Sequence, residues 1–178
     1  NGTFFFKRNV GESGMDQLSL MCRDTDFPPM SLDIYATPGA KIKVTGTNPL
    51  IYTWRVDSPV KEQQEHNRFI EDSRDLWDEF QRLAIKERSM RSASEAERKA
   101  LRTKSDSISS IINQRELKLM KELPISNVWM EKLLRLSMSL KYNSRFTNKE
   151  EIQALYDRLN EEQKASIEGQ EIRVNLFP

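Results

Sequence analysis

Tyr52-Thr53-Trp54-Arg55-Val56-Asp57-Ser58-Pro59-Val60-Lys61-Glu62-Gln63 joins two kinds of sequence. Before Asp57, apolar and polar residues alternate with period two, as Tyr52, Trp54 and Val56 do. That period puts one set of side chains on one face of a strand. After Pro59 the spacing changes to steps of three, four and seven. Phe69, Leu76, Trp77, Phe80, Leu83 and Ala84 then form one stripe of a helix. Ser58 offers an N-cap oxygen, and Pro59 suits the first helical position because its missing N–H would be unbonded there anyway. The spacing therefore divides the chain into a strand region, residues 1–57, and a helical region, residues 58–178.

The breakers agree with this division. Five of the six glycines and five of the seven prolines precede Val60. Towards the N-terminus, Thr3–Arg8 is a short aromatic run led by Phe4, Phe5 and Phe6, and Gln17–Cys22 is a second apolar run. Leu32, Ile34 and Ala36 alternate. Thr37-Pro38-Gly39-Ala40 places Pro and Gly where a type II turn wants them. Ile42 and Val44 alternate with Lys41, Lys43 and Thr45 in a half-buried strand. About five short antiparallel strands follow, with one face packed and one wet.

Towards the C-terminus, Ser94-x-x-Glu97 is a capping box opening a second helix. Its stripe runs through Leu101, Lys104 (by its aliphatic stem), Ile108, Ile111, Ile112 and Leu119, and Leu123-Pro124 ends it. Ser126 or Asn127 caps a third helix carrying Trp129, Leu133, Leu136 and Leu140. Thr147-x-x-Glu150 is another capping box, with Ile152, Leu155, Tyr156 and Leu159 behind it, and Asn160-x-x-Gln163 starts a last helix reaching Ile172 and Leu176. The predicted fold is α+β: a small antiparallel β-sheet (a partial sandwich) followed by an all-helical bundle of four to five helices.

Composition narrows the function. With 37% hydrophobic and 31% charged residues, the chain suits a globular protein with solvated helices. Eight Phe and three Trp are too many for a disordered segment. A net charge of +1 supplies no global field for nucleic acid or an anionic membrane. No stretch approaches the ~20 apolar residues of a membrane-spanning helix. The start at Asn1-Gly2 and the end at Leu176-Phe177-Pro178 read as cuts through a longer protein.

Motifs for chemistry are sparse. Cys22 is the single cysteine, so it has no Cys-x-x-Cys partner to resolve a mixed disulfide; the reading is a buried strand residue. His66 is the single histidine. With Glu62 at i, i+4 it offers two metal ligands where zinc needs three or four, so an exposed polar helix face is expected. Between Arg82 and Lys104, eight basic residues stand against three acidic ones. Without interleaved aromatics for base stacking, this reads as a solvated hairpin tip. No phosphate loop or nucleophile elbow occurs, so no catalytic, cofactor or metal residue is assigned. Tyr52, Trp54, Trp77 and Phe80 remain as a possible binding surface, weighed against packing where the strands meet the first helix.

The run Thr37-Pro38-Gly39-Ala40-Lys41-Ile42-Lys43-Val44-Thr45-Gly46, then Trp54-Arg55-Val56-Asp57-Ser58-Pro59-Val60-Lys61-Glu62-Gln63 entering a charged helix with Asn67 and Phe69, together with Ile152-x-x-Leu155-Tyr156-x-x-Leu159, Lys164-x-Ser166 and Gly169, resembles a known region. It is similar to the N-terminal domain of unknown function that precedes the thioredoxin-like domain in TlpA/ResA-type thiol-disulfide oxidoreductases of Bacteroidetes. The resemblance implies an exported, periplasmic or cell-envelope protein, often a lipoprotein held by a lipid anchor outside this chain. It implies an accessory domain that positions the C-terminal thioredoxin-like domain or binds a substrate or partner protein. In that family, strands precede the Asn-Gly turn and the catalytic Cys-x-x-Cys domain follows, so no catalytic residue carries over. A sheet without its upstream strands would expose an edge and favour pairing between copies, as in a homodimer. The alternatives are a stand-alone extracytoplasmic ligand- or peptide-binding protein and an enzyme using two buried carboxylates in one cleft.

Overall fold

The structure, a computed structural model, describes residues 5–11, 14–90, 93–143 and 145–177. Among these residues the chain is an α+β fold with two small antiparallel sheets ahead of seven helices. Strands β1 (Asp16–Leu20) and β2 (Leu32–Ala36) form one sheet, with Leu18 opposite Ile34. Strands β3 (Lys43–Thr45) and β4 (Arg55–Asp57) form the other, with Val44 opposite Val56.

Among the described residues four strands stand in place of the expected five. In the aromatic run Thr3–Arg8, Thr3 and Phe4 lie outside the described residues. Phe5–Arg8 has no strand, and Phe5 and Phe6 are exposed. The predicted strand through Tyr52 and Trp54 is shorter, because Ile51–Thr53 winds into a 3₁₀ turn. The cause is local side-chain chemistry. Asn48 Oδ1 accepts from the Leu50 N–H and the Thr53 hydroxyl, and that hydroxyl also reaches the Leu50 carbonyl. Such bonds offer the backbone an alternative to a ladder.

The helices are α1 (Lys61–Asp72), α2 (Arg74–Ser89), α3 (Glu95–Glu122), α4 (Asn127–Tyr142), α5 (Lys149–Asp157), α6 (Glu161–Ala165) and α7 (Ile167–Leu176). Each predicted helix is present, and two are divided at serines. Ser73 parts α1 from α2, and Ser166 parts α6 from α7, where its hydroxyl accepts from the Gly169 N–H. Gly169 is needed at that elbow, since a Cβ would strike the Gln163 carbonyl oxygen. The capping boxes at Ser94/Glu97 and Asn160/Gln163 form, and Ser126 caps α4 through the Trp129 N–H. Two starts shift: α1 begins after Val60, with the Ser58 hydroxyl accepting from the Val60 N–H, and α5 is preceded by Asn148 rather than Thr147.

The main core joins Tyr35 of β2 and Phe69 of α1 to Leu117 and Met120 of α3, Trp129, Leu133 and Leu136 of α4, Ile152 and Leu155 of α5, and Ile172 and Leu176 of α7. Each fully buried aliphatic side chain contributes ~1.5–3 kcal/mol of transfer free energy. Trp129 anchors the end of α3: its Nε1 donates to the Met120 carbonyl at 3.0 Å. Arg158 lies over its ring and donates to the carbonyls of Met120 and Leu123, which lack helical partners before Pro124. A second core holds Leu32, Ile51, Val56 and Ile70 between the sheets and α1, and a third zips α2 to α3 through Leu83, Leu101, Ile108 and Ile112. Among the described residues no helix is long and apolar enough to cross a membrane.

Candidate functional site

Of the four aromatic residues expected to share a surface, three meet. Tyr52 packs edge-to-face on Trp77 with ring centroids 4.8 Å apart, and Trp77 packs edge-to-face on Phe80 at 5.7 Å. All three are half-buried where the 3₁₀ turn meets α2. Burial, above all, pushes the Tyr52 hydroxyl up to about 12. Gln81 fixes this junction, accepting from the Tyr52 N–H and donating to the Trp77 carbonyl. The trio is therefore packing between layers.

Trp54 turns the other way. Its indole donates to the Asn48 carbonyl at 2.7 Å, meets the edge of Phe27, and lies so close over Gly46 that any Cβ there would strike the ring. Trp54 forms a wall of a cleft of about 260 Å³ between β4 and α1. Leu32, Val56 and Ile70 supply apolar lining, and Arg55, Asp57, Glu71 and Arg74 supply charge. Arg74 is partly engaged, with Glu71 at 3.5 Å and the Thr53 carbonyl at 3.1 Å.

Between the cleft and the main core runs a relay of amides. Gln63 Oε1 accepts from the Tyr35 N–H at 2.8 Å, and its Nε2 reaches the Asp33 carbonyl. The same Nε2 donates to Asn67 Oδ1 at 2.9 Å, and Asn67 Nδ2 donates to the Val56 carbonyl at 2.9 Å. Gln63 and Asn67, one turn apart on α1, thus stand in for a neighbouring strand and link the edge of β2 to that of β4. The β2 edge is covered by α1 along this stretch.

Deeper lies a cluster of ionisable groups. Tyr35 Oη donates to Glu131 Oε2 at 2.5 Å. Burial, then this bond, raises the Tyr35 hydroxyl above its ordinary range, and burial also raises Glu131. Next to Glu131 on α4, Lys132 sits over the Phe69 ring and 3.6 Å from Glu116 of α3. Arg135 closes on the same carboxylate and donates to Asn113 Oδ1. Glu116 is 1% exposed. Desolvation lowers Lys132 to about 8.

His66 is a correction. Rather than lying on an exposed polar face, it is buried at 6% exposure with its ring 5.5 Å from that of Tyr35, while Glu62 is half-buried. Burial, then Lys132 and Arg135, lowers it to about 3, so the imidazole is neutral. The buried face of α1 carries Gln63, His66, Phe69 and Ile70, half of it polar, with Ser73 buried just past its end. Cys22 is likewise corrected: it is half-buried and lies beyond the end of β1. The basic residues around the α2–α3 tip are exposed, apart from Arg91, which lies outside the described residues. Among them, Arg102 pairs with Glu87, Lys104 with Glu79, and Arg88 with the Arg23 and Asp24 carbonyls. Among the described residues no three His, Cys, Asp or Glu gather as metal ligands.

The sequence reading missed Gln63, Asn67, Glu116, Glu131, Lys132 and Arg135. One signal was available: Asn113 and Glu116 interrupt the apolar stripe of α3 at core-facing positions. Comparison with protein-family models, curated proteins and solved structures finds no match for this chain.

Proposed function

We propose that this chain is a non-catalytic interaction domain that positions a thioredoxin-like redox domain following it in an exported thiol-disulfide oxidoreductase, or presents that domain's protein substrate. The observation that carries the reading is how the buried ionisable groups are engaged. Glu116 is tied to Arg135 and Lys132, and Glu131 to Tyr35, so these groups join β2, α3 and α4 rather than face a common opening. Removing one partner of such a pair is costly, which suits a rigid support. Leu176, fully buried, fixes the chain direction at the end of α7, so a domain attached there would start from a held point. The family context comes from the sequence resemblance and from nothing else. The reading frame downstream of Pro178 tests it: a Cys-x-x-Cys within a thioredoxin-like pattern is expected, and a frame without one removes the redox context. The cleft beside Trp54 favours a second reading, a stand-alone extracytoplasmic peptide- or ligand-binding protein. Copurification of a peptide bound at Trp54 to a chain with no redox domain would favour that reading.

A further inference from the structure

We propose that the outer edge of β1 pairs with the same edge of a second copy of this chain, antiparallel about a two-fold axis at Leu18. The backbone of β2 shows which groups of β1 are left over. The Tyr35 N–H points away from β1, to Gln63 Oε1, and the Asp33 carbonyl points the same way, to Gln63 Nε2. In an antiparallel ladder, facing residues that turn these groups away from each other form a non-hydrogen-bonded pair. Gln17 stands opposite Tyr35 and Ser19 opposite Asp33, so both turn their N–H and C=O to the outer edge of β1. Both residues are exposed, and among the described residues no group bonds their main chain on that side. Gln63 covers the edge of β2, whereas β1 presents a bare edge, a template for another strand.

The occupant follows from the symmetry of that edge. With the axis at Leu18, Gln17 faces Ser19 of the second copy, and Ser19 faces its Gln17. Each pair exchanges N–H and C=O in both directions, so every outward group of the two residues is used. An axis at Gln17 or at Ser19 would send the other residue to a partner beyond the strand, at Met15 or Met21. At the Leu18 axis the leucines of the two copies meet, and Asp16 meets Leu20, so no like charges are opposed. Asp16 is also held by Arg8 at 3.2 Å and is 15% exposed. The interface is isologous, the same patch serving both copies.

Apolar side chains flank the edge. Met21, just past β1, is 58% exposed, and Phe5 and Phe6 are 90% and 67% exposed. The Arg8–Asp16 ion pair brings the Phe5–Arg8 run to the start of β1, and the antiparallel axis brings Met21 of the second copy to that same end. A buried phenylalanine removes ~150–250 Å² from water. A short edge with these side chains stands at the small end of the ~1,200–2,000 Å² of specific interfaces, so a micromolar dimer is expected.

The test follows the chain by sedimentation velocity and amide hydrogen exchange over a dilution series from millimolar to sub-micromolar. A reversible monomer–dimer equilibrium is expected, with protection of the Gln17 and Ser19 amides rising as dimer forms. Ser19→Pro removes an outward N–H where an edge strand tolerates proline, and should give a monomer with its thermal midpoint nearly unchanged. Charge reads the register independently. Gln17→Lys with Ser19→Glu sets opposite charges across both pairs, and Gln17→Lys with Ser19→Lys sets like charges, so the first should dimerise about tenfold more tightly or better. A monomer at millimolar concentration, or Gln17 and Ser19 amides equally protected at every dilution (an edge covered from within one chain), would overturn the proposal. So would equal dimerisation of the two charge variants, or a dimer that Ser19→Pro leaves intact. Pairing between copies needs no following redox domain, so its failure leaves the positioning role standing.

Discussion

Replacing Glu116 by Gln tests whether the buried ion cluster holds α3 to α4. Glu116 is 1% exposed and faces two cations, Arg135 and Lys132. The change keeps shape and volume but leaves both cations without their shared carboxylate. Breaking a buried ion pair this way costs ~3–5 kcal/mol. The value belongs at the lower end, because the Arg135 side chain is 39% exposed and can turn to water. Lys132, 13% exposed, has less escape, although Asp33 and Glu131 still favour its charge. We predict a loss of about 3 kcal/mol, or ~6–12 °C in thermal midpoint at ~2–4 °C per kcal/mol for a chain of this size. Urea unfolding followed by circular dichroism measures it, provided the slope is unchanged. A cycle with Glu116→Leu, Arg135→Leu and the double variant isolates the pair. The double variant should recover part of the loss, because the Glu116–Arg135 pair is removed together and Lys132 keeps Asp33 and Glu131 as favourable charges. A Glu116→Gln cost below ~1 kcal/mol, or a coupling below ~0.5 kcal/mol, would refute the reasoning.

Other outcomes follow from the same contacts. His66 is held near 3 when folded against an ordinary value of 6.5, so the unfolded chain binds the extra proton between those values. Stability therefore rises with pH across that window and is lost on acidification, by about 2 kcal/mol between pH 7 and pH 5. Glu131, raised by burial, titrates in the opposite sense, so the effect is read as the difference between wild type and His66→Phe; identical pH profiles would contradict it. Gln63→Leu removes the acceptor of the Tyr35 N–H and should cost ~1–3 kcal/mol, with faster hydrogen exchange at that amide. Gly169→Ala drives a methyl into the Gln163 carbonyl at the α6–α7 elbow and should cost ~1–3 kcal/mol, whereas unchanged unfolding would mean the elbow relaxes freely.

The change from strand to helix between β4 and α1 was legible because period two and period 3.6 are large, regular signals. Leu133, Leu136, Ile152, Leu155 and Ile172 were read as core-facing and are buried. Ser94, Ser126 and Asn160 were read as caps and act as caps. What stayed hidden depends on contacts distant in sequence. Gln63 and His66 look like solvent-facing residues until β2 is folded against them, 28 residues away in the case of the Tyr35 bond. Tyr35 and Glu131 are 96 residues apart, and no local pattern announces that bond. The aromatic grouping was half legible. Spacing on α2 brings Trp77 to Phe80, but the Asn48 turn sends Trp54 to a different wall.

The central proposal is that residues 1–178 support a redox domain rather than carry out the chemistry. If the proposed redox domain follows, the most direct test compares the protein carrying it with and without residues 1–178. It compares kcat/KM for a protein disulfide substrate with that for a small aromatic disulfide. The account predicts that removing the segment lowers the value for the protein substrate by about tenfold or more and leaves the small disulfide unchanged. Equal activity on both substrates, or disulfide reduction by residues 1–178 alone, would contradict it.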